Sequence, residues 1–119
     1  MAHVCFVSQV KQEMLEEYRA AHAAVWPEML EALAESGWRD YRLFLGADGL
    51  LVGVLEADDF ERAQREMSAR DVNARWQSAM QEYFDSSAGR PDESFRVLDE
   101  VFHLEGQLAE IPGRRERGL

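Results

Sequence analysis

The stretch Trp38-Arg-Asp-Tyr-Arg-Leu-Phe-Leu-Gly-Ala-Asp-Gly-Leu-Leu-Val-Gly-Val-Leu55 decides the fold that this sequence predicts. Alternating side chains over residues 38–45 predict a strand. One face would carry Tyr41, Leu43 and Leu45, and the opposite face Trp38, Arg42 and Phe44. Gly46-Ala-Asp-Gly49 is a turn signal, and the continuous apolar run from Leu50 to Leu55 indicates the partner strand. The segment is therefore predicted to be a β-hairpin.

A strand and a long helical region precede the hairpin. Val4 to Val10 has apolar residues on both faces, as a strand inside a sheet would. Lys11 to Ser36 is rich in Ala, Leu, Glu and Met, which favour helix. Pro27 lacks an N–H and clashes with the preceding turn, so we expect a break there, with Pro27 in the first turn of a second piece. Gly37 is a C-cap candidate that would end this piece.

A second helical region and a last strand follow the hairpin. Asp58, with Glu61 three residues on, resembles a capping box, and the helical pattern runs to about Phe84 with an interruption near Ser68–Arg70. Residues 86–93 have the composition of a loop. Phe95 to Leu104 is predicted to be a strand, and it closes a single domain over residues 1–104. Residues 105–119 are predicted to be a polar, mobile tail.

The order strand, helix, strand, strand, helix, strand is the split βαβ pattern of ferredoxin-like folds. We therefore predict an α+β protein of the dimeric α/β-barrel type, whose antiparallel sheet carries helices on one face only. The strands have apolar residues on both faces, so the second face also needs cover. A second subunit packed sheet to sheet would provide it, which predicts a homodimer.

Composition limits the functions that this chain can have. Its formal net charge of −10 argues against nucleic acid or an anionic membrane surface as a partner. The sequence has one cysteine, so an internal disulfide is impossible, which fits a reducing compartment. No signal peptide and no apolar run of membrane-spanning length is evident, and we expect a cytoplasmic protein. The sequence also lacks a metal-ligand cluster or a Gly-rich phosphate loop.

Three aromatic or imidazole side chains follow one another at intervals of four in the first helical region. Tyr18, His22 and Trp26 would share one face, because residues four apart lie on neighbouring turns. A His beside a hydroxyl and a flat aromatic surface suits proton transfer on a sugar. The alternative is that the three are half-buried residues of an amphipathic helix, and spacing alone favours this alternative because core stripes are far commoner than sites.

With these elements in place, the chain resembles the L-rhamnose mutarotases, small cytoplasmic dimers that interconvert the α and β anomers of a deoxyhexose. The resemblance extends from about Val4 to Leu104. It rests on Glu17-Tyr18, on His22 with Val25-Trp26-Pro27-Glu28, on Tyr41, on Asp71-Val72 with Arg75-Trp76, and on Glu100-Val101-Phe102.

The resemblance implies a set of site residues. The family's proton donor falls on His22, and its sugar-contacting residues fall on Tyr18, Tyr41 and Trp76. The family often has a second Trp after Trp76, whereas this chain has Gln77, which removes an aromatic face and adds an amide at a sugar-binding position. Trp76 also belongs to the predicted core stripe from Val72 to Met80, so a core role is the alternative. Trp26 is expected to shape the helix break and not to contact the sugar.

Mutarotation opens a cyclic hemiacetal, rotates the C1–C2 bond and closes the ring on the other face, which requires proton transfers but neither cofactor nor metal. His suits this work because its ordinary pKa of about 6.5 lets it give and take protons near neutral pH. Three alternatives stay open. They are an L-fucose mutarotase of the same group, a cofactor-independent monooxygenase-like dimeric barrel, and a ligand-sensing module.

Overall fold

A computed structural model describes residues 2–85, 91 and 95–113 of the chain, and it contains one sheet and five α-helices in that part. The strands are β1 (Ala2–Gln9), β2 (Arg39–Leu45), β3 (Leu50–Ala57) and β4 (Arg96–Leu98). The helices are α1 (Leu15–Ala23), α2 (Pro27–Glu35), α3 (Phe60–Ser68), α4 (Asp71–Met80) and α5 (Leu104–Ala109). Short 3-10 turns at Gln12–Met14 and Gln81–Tyr83 precede α1 and follow α4.

The sheet has the strand order β2-β3-β1-β4, and all of its neighbouring strands are antiparallel. The predicted hairpin forms β2 and β3, and β1 pairs along the whole length of β3 from Ala2 opposite Ala57 to Gln9 opposite Leu50. This is the strand order of a ferredoxin-like fold, so the predicted fold class is confirmed. None of the helices in the described part of the chain is long and apolar enough to cross a membrane.

The core lies between one face of the sheet and helices α1 to α4. On this face Phe6 of β1 lies opposite Gly53 of β3, and Leu51 and Leu55 lie on either side along β3. Side chains alternate along a strand, so Val52 and Val54 face the opposite side of the sheet. The largest buried apolar side chains of the core are Phe6, Tyr18, Met29, Trp38, Leu51, Leu55, Met67, Trp76, Met80 and Phe84.

The first helical region breaks at Pro27, as predicted. α1 ends at Ala23, and α2 begins with Pro27 at its first position, where a missing N–H costs no intrahelical bond. α2 ends in a Schellman motif at Gly37. The φ of Gly37 is 93°, a backbone conformation that glycine adopts readily because it has no Cβ. The amide of Gly37 bonds to the Ala34 carbonyl, and the amide of Trp38 bonds to the Leu33 carbonyl. The interruption near Ser68–Arg70 is likewise confirmed, because it separates α3 from α4.

The predicted face of Trp38 is wrong. Strict alternation put Trp38 and Tyr41 on opposite sides of β2, yet Trp38 is buried at 8% exposure and its ring lies 4.9 Å from that of Tyr41. The reason is an irregularity between Arg39 and Arg42, where Asp40 has a φ of 47° and the register with β3 shifts. A bulge adds one residue to a strand and reverses the side on which the preceding residues point. The Trp38 indole N–H then reaches the Ala63 carbonyl at 3.2 Å.

Two predicted boundaries are also wrong. The last strand ends at Leu98 and not at Leu104, and α5 occupies the start of the predicted tail. The cap of α3 is Asp59 and not Asp58, since the Asp59 carboxylate accepts the Arg62 amide at 3.1 Å. The mobility of the tail stays a prediction, and residues 114–119 lie outside the described residues. So do 86–90 and 92–94 of the predicted loop.

The contact between Phe6 and Gly53 predicts that Gly53→Ala destabilises the fold. A Cβ at residue 53 would overlap the Phe6 ring, which is fully buried and stacks on Phe95 with ring centroids 4.0 Å apart. Overpacking of this kind costs about 1–3 kcal/mol of the free energy of unfolding, measured by urea denaturation. Gly106→Ala, in the exposed helix α5, is the matched control and should change stability by no more than about 1 kcal/mol. Equal effects of the two variants would contradict this account.

Candidate active site

A cavity of about 810 Å³ opens between the helices and the core face of the sheet. It is lined from α1, α2, α3 and α4 and from strands β2 and β3. All five side chains predicted as site residues line it, namely Tyr18, His22, Tyr41, Trp76 and Gln77. They come from three separate elements, so the fold brings together residues far apart in the sequence.

His22 lies in the last turn of α1, and its ring nitrogens have different roles. Nδ1 is 3.1 Å from the backbone carbonyl oxygen of Tyr18. A carbonyl oxygen can only accept, so Nδ1 carries the hydrogen and donates it. In the neutral imidazole, Nε2 then keeps its lone pair. The His22 ring also stacks on the Tyr18 ring, with centroids 4.2 Å apart and planes at 28°.

The electrostatics of the site keep His22 neutral. Burial lowers the pKa of His22 below its ordinary value of 6.5, because a desolvated imidazolium is unfavourable. The hydrogen bond to the Tyr18 carbonyl acts in the opposite direction and only partly offsets this effect. At neutral pH the group is therefore a base at Nε2 that can accept a proton and return it.

Tyr18 is buried among rings. Tyr83 and Phe84 meet its ring edge-on, at centroid distances of 6.0 and 5.8 Å. Burial raises the pKa of Tyr18 far above its usual range, so the phenol stays protonated at any physiological pH. A neutral phenol both donates and accepts a hydrogen bond, which suits it to orient a hydroxyl group.

Trp76 forms the wall of the cavity beside His22. The two rings meet edge-to-face at 84°, with centroids 5.4 Å apart. Trp26 packs edge-to-face against Trp76 at 5.0 Å and is 37% exposed, and it is not among the residues that line the cavity in the described part of the chain. This arrangement agrees with the supporting role predicted for Trp26.

A salt bridge ties α2 to α4 next to this pair of indoles. The Arg75 guanidinium bonds to Asp71 one turn away and to Glu28 across the interface, both at 3.0 Å. The Asp71–Arg75 pairing follows from their spacing on a helix. The contact with Glu28 joins distant residues, so helix spacing could not indicate it.

Tyr41 reaches the cavity from β2, where its ring packs against Trp38 and lies 6.1 Å from Phe6. Sequence reasoning missed Asn73, which is buried and hydrogen-bonded to Gln77 at 3.0 Å. Two amide side chains four apart on a face with Trp76 were the available signal. The other lining residues of the described chain are Val25, Met29, Leu30, Leu33, Trp38, Leu43, Leu51, Glu61, Gln64, Arg65, Met67, Ser68, Met80, Phe84, Pro91 and Phe95.

Comparison with known proteins identifies the family of this chain. A family model described as L-rhamnose mutarotase matches residues 3–104. The chain belongs to the L-rhamnose mutarotase family. Members of this family are enzymes that isomerise a carbohydrate, and the match covers every predicted site residue.

Individual relatives agree with this assignment. An L-rhamnose mutarotase from Flavobacterium johnsoniae is 35% identical over 104 residues, which cover 84% of this chain and 92% of the relative. One from Bacillus subtilis is 36% identical over 99 residues, covering 81% and 91%. A crystal structure of an L-rhamnose mutarotase from Formosa agariphila has a TM-score of 0.70 and 19% identity, covering 87% of this chain and 98% of that one. The last comparison supports the fold.

The surroundings of His22 predict how its titration changes stability. Its pKa is near 6.5 in the unfolded chain and lower in the folded one, so the unfolded state binds more protons between these two values. Stability is therefore lost as pH falls through 6.5 toward the folded pKa. Urea denaturation at pH 8 and at pH 5 should show that the free energy of unfolding falls more for wild type than for His22→Gln between these two pH values.

Nuclear magnetic resonance of the imidazole nitrogens tests the same account directly. At pH 8 the folded protein should show hydrogen on Nδ1 of His22 and none on Nε2, and the titration midpoint should lie below 6.5. A midpoint above 6.5, or the opposite tautomer, would contradict the geometry described for His22.

Proposed function

We propose that this chain catalyses the mutarotation of L-rhamnose, with His22 transferring the proton. The observation that carries the proposal is the half-buried imidazole of His22 on the cavity wall, held in the tautomer that leaves the Nε2 lone pair available. The family to which the chain belongs supports a sugar as the substrate. L-Fucose is the alternative deoxyhexose.

Ring opening moves one proton between two oxygens on the same carbon. Nε2 of His22 takes the proton of the anomeric hydroxyl, the bond between C1 and the ring oxygen breaks, and a C1 carbonyl forms. The imidazolium then gives its proton to the ring oxygen. After rotation about the C1–C2 bond, the same steps in reverse close the ring on the other face of the carbonyl. The lowered pKa of His22 favours return to the neutral state after each transfer.

The other proposed site residues hold the sugar. The neutral phenol of Tyr18 or Tyr41 would orient the anomeric hydroxyl or relay its proton. Trp76 offers an indole face to the C–H side of the sugar ring and to its methyl group. Gln77 contributes an amide to the same wall. The reaction transfers only protons, so we propose no metal and no cofactor.

The role of His22 predicts a large loss of activity in His22→Gln. Positioned acid–base catalysis is worth about 10² to 10⁴ in rate, so anomer exchange of L-rhamnose should fall by that factor. Saturation-transfer NMR measures the exchange between the α and β anomers directly. His3→Gln is the control, because the exposed His3 only pairs with Glu56 at 3.2 Å. Wild-type exchange rates in His22→Gln would refute the mechanism, and oxygen consumption without exchange would point to oxidation chemistry.

We further propose that the enzyme is a homodimer formed through the open face of the sheet. This face carries Phe44 opposite Val52 and Cys5 opposite Leu98, and Phe44 is 55% exposed. After β4 the chain continues with Val101 and Phe102, which are 93% and 61% exposed. An apolar patch of this kind typically marks a protein contact. A second copy packed sheet to sheet would cover the patch and the segment that follows β4.

The dimer proposal predicts that Phe44→Glu separates the subunits. Wild type should sediment as a dimer of the 13.6 kDa chain at micromolar concentration, and the variant as a monomer, because a charge buried without a partner is strongly unfavourable. Ala79→Glu places the same charge on the exposed side of α4 and should leave the dimer intact. A monomeric wild type, or a dimeric Phe44→Glu variant, would contradict the proposal.

We propose a cytoplasmic location for the enzyme. The sequence has a single cysteine, Cys5, which lies half-buried in β1 and has no second cysteine in the chain with which to form a disulfide. Such a chain gains nothing from an oxidising compartment. Fractionation of the producing cells would test the location.

A further inference from the structure

The helix α3 turns a polar face toward the cavity, and the proposed proton transfer does not use this face. Consecutive residues of a helix point about 100° apart, so positions 61, 64, 65 and 68 share one side. The core side of the same helix is apolar and carries Phe60, Ala63 and Met67. The side that lines the cavity carries four polar residues, namely Glu61, Gln64, Arg65 and Ser68.

The two charged groups on this face of α3 are not paired with each other. Glu61 lies four residues before Arg65, which is the favourable order for an ion pair on a helix. Within the described part of the chain, however, neither group forms an ion pair. On the outer side of α3, Arg62 and Glu66 do pair, at 3.2 Å, although their order is the less favourable one. The charged groups that line the cavity are therefore available to a ligand.

Contacts of Trp38 place α3 beside the Tyr41 side of the cavity. The indole N–H of Trp38 donates to the Ala63 carbonyl of α3 at 3.2 Å, and its ring centroid lies 4.9 Å from that of Tyr41. On α1 and α4, His22 and Trp76 contact each other instead. The polar face of α3 thus adjoins the wall that Tyr41 contributes, and it belongs to a different helix from the base and the indole.

The cavity is large for a single deoxyhexose. Pockets of about 300–1,000 Å³ hold drug-sized ligands, and a monosaccharide is smaller than these. At about 810 Å³, the cavity has room for more than one sugar ring. Glu61, Arg65 and Ser68 are exposed, so this part of the cavity opens to solvent. The proposed dimer would use the opposite face of the sheet and would leave α3 uncovered.

We propose that the polar face of α3 binds a second sugar ring, linked to the aldose that undergoes mutarotation through a hydroxyl other than the one at C1. A neutral polyol fits this face better than an ion, because the charges of Glu61 and Arg65 cancel. The Glu61 carboxylate accepts hydroxyl hydrogens, the Arg65 guanidinium donates to hydroxyl oxygens, and the Gln64 amide does both. These side chains suit the hydroxyls of a sugar ring.

The proposed site defines a wider substrate class. Ring opening requires a free hemiacetal at C1, so a substituent on another ring hydroxyl takes no part in the reaction. The substrates are therefore reducing disaccharides, and longer sugars, whose reducing end is a deoxyhexose. This inference rests on the proposed function and extends it from a free monosaccharide to the reducing end of a larger one.

Titration calorimetry with defined sugars tests this inference. The ligands are L-rhamnose and three disaccharides, in which D-glucose is linked to O2, O3 or O4 of L-rhamnose. In wild type, one disaccharide should bind about tenfold more tightly than L-rhamnose, since one or two net hydrogen bonds are worth about that factor in Kd. In Arg65→Met, which keeps an unbranched side chain without the guanidinium, the ratio of the two Kd values should fall to about one. Gln64→Leu should lower the same ratio.

The matched control is Arg62→Met, the same substitution on the outer side of α3. Arg62 is not among the described residues that line the cavity, so this variant should keep the wild-type ratio of Kd values. Equal ratios in Arg65→Met and wild type, or no disaccharide that binds more tightly than L-rhamnose, would overturn the inference.

Saturation-transfer NMR on the same sugars separates this inference from the proposed function. The disaccharide that binds most tightly should exchange its α and β anomers at the reducing end. Tight binding without this exchange, in an enzyme that exchanges L-rhamnose, would also overturn the inference. A wild type that exchanges none of the sugars would instead refute the proposed function, and the Kd ratios would still show whether α3 binds a second ring.

Discussion

The arrangement of the site depends on one backbone constraint, the break between α1 and α2 at Pro27. Because proline cannot continue the preceding helix, α1 ends one residue after His22. The imidazole thus lies in a last turn, where it bonds to the Tyr18 carbonyl and faces the cavity. The restarted helix sends Glu28 to Arg75 on α4, and Trp26 packs on Trp76. The break at Pro27 therefore positions both His22 and the Trp76 wall beside it.

Burial, more than charge, sets the chemistry around His22. The ionised groups Glu28, Arg75 and Asp71 form salt bridges on the surface between α2 and α4, where solvent screens them. Desolvation lowers the pKa of His22 and raises that of Tyr18, so both groups are neutral at physiological pH. A reaction that begins and ends with a neutral sugar suits such surroundings, because neither the base nor the phenol beside it carries a charge in the resting site.

Patterns local in sequence predicted most of the fold, and contacts distant in sequence explain the failures. Alternation and turn chemistry indicated the hairpin, and the properties of Pro27 and Gly37 indicated the bounds of α2. The face of Trp38 was wrong because a bulge at Asp40 is stabilised by the packing of Trp38 between Tyr41 and Phe60, which no local pattern reports. The site residues were predicted by resemblance to a family. The Asn73–Gln77 pair was missed because spacing alone does not show that both amides are buried on the cavity wall.

In the proposed mechanism, α1 supplies the group that transfers the proton and α4 supplies contacts with the rest of the sugar. Proton transfer needs Nε2 of His22 at the anomeric centre, and the Tyr18 carbonyl on the same helix fixes that atom. The proposed contacts with the rest of the sugar lie on α4, where Trp76 and Gln77 are consecutive residues that both line the cavity. Because the His22 tautomer depends on no side chain of α4, residue 77 can change from an aromatic ring to an amide while the base stays intact.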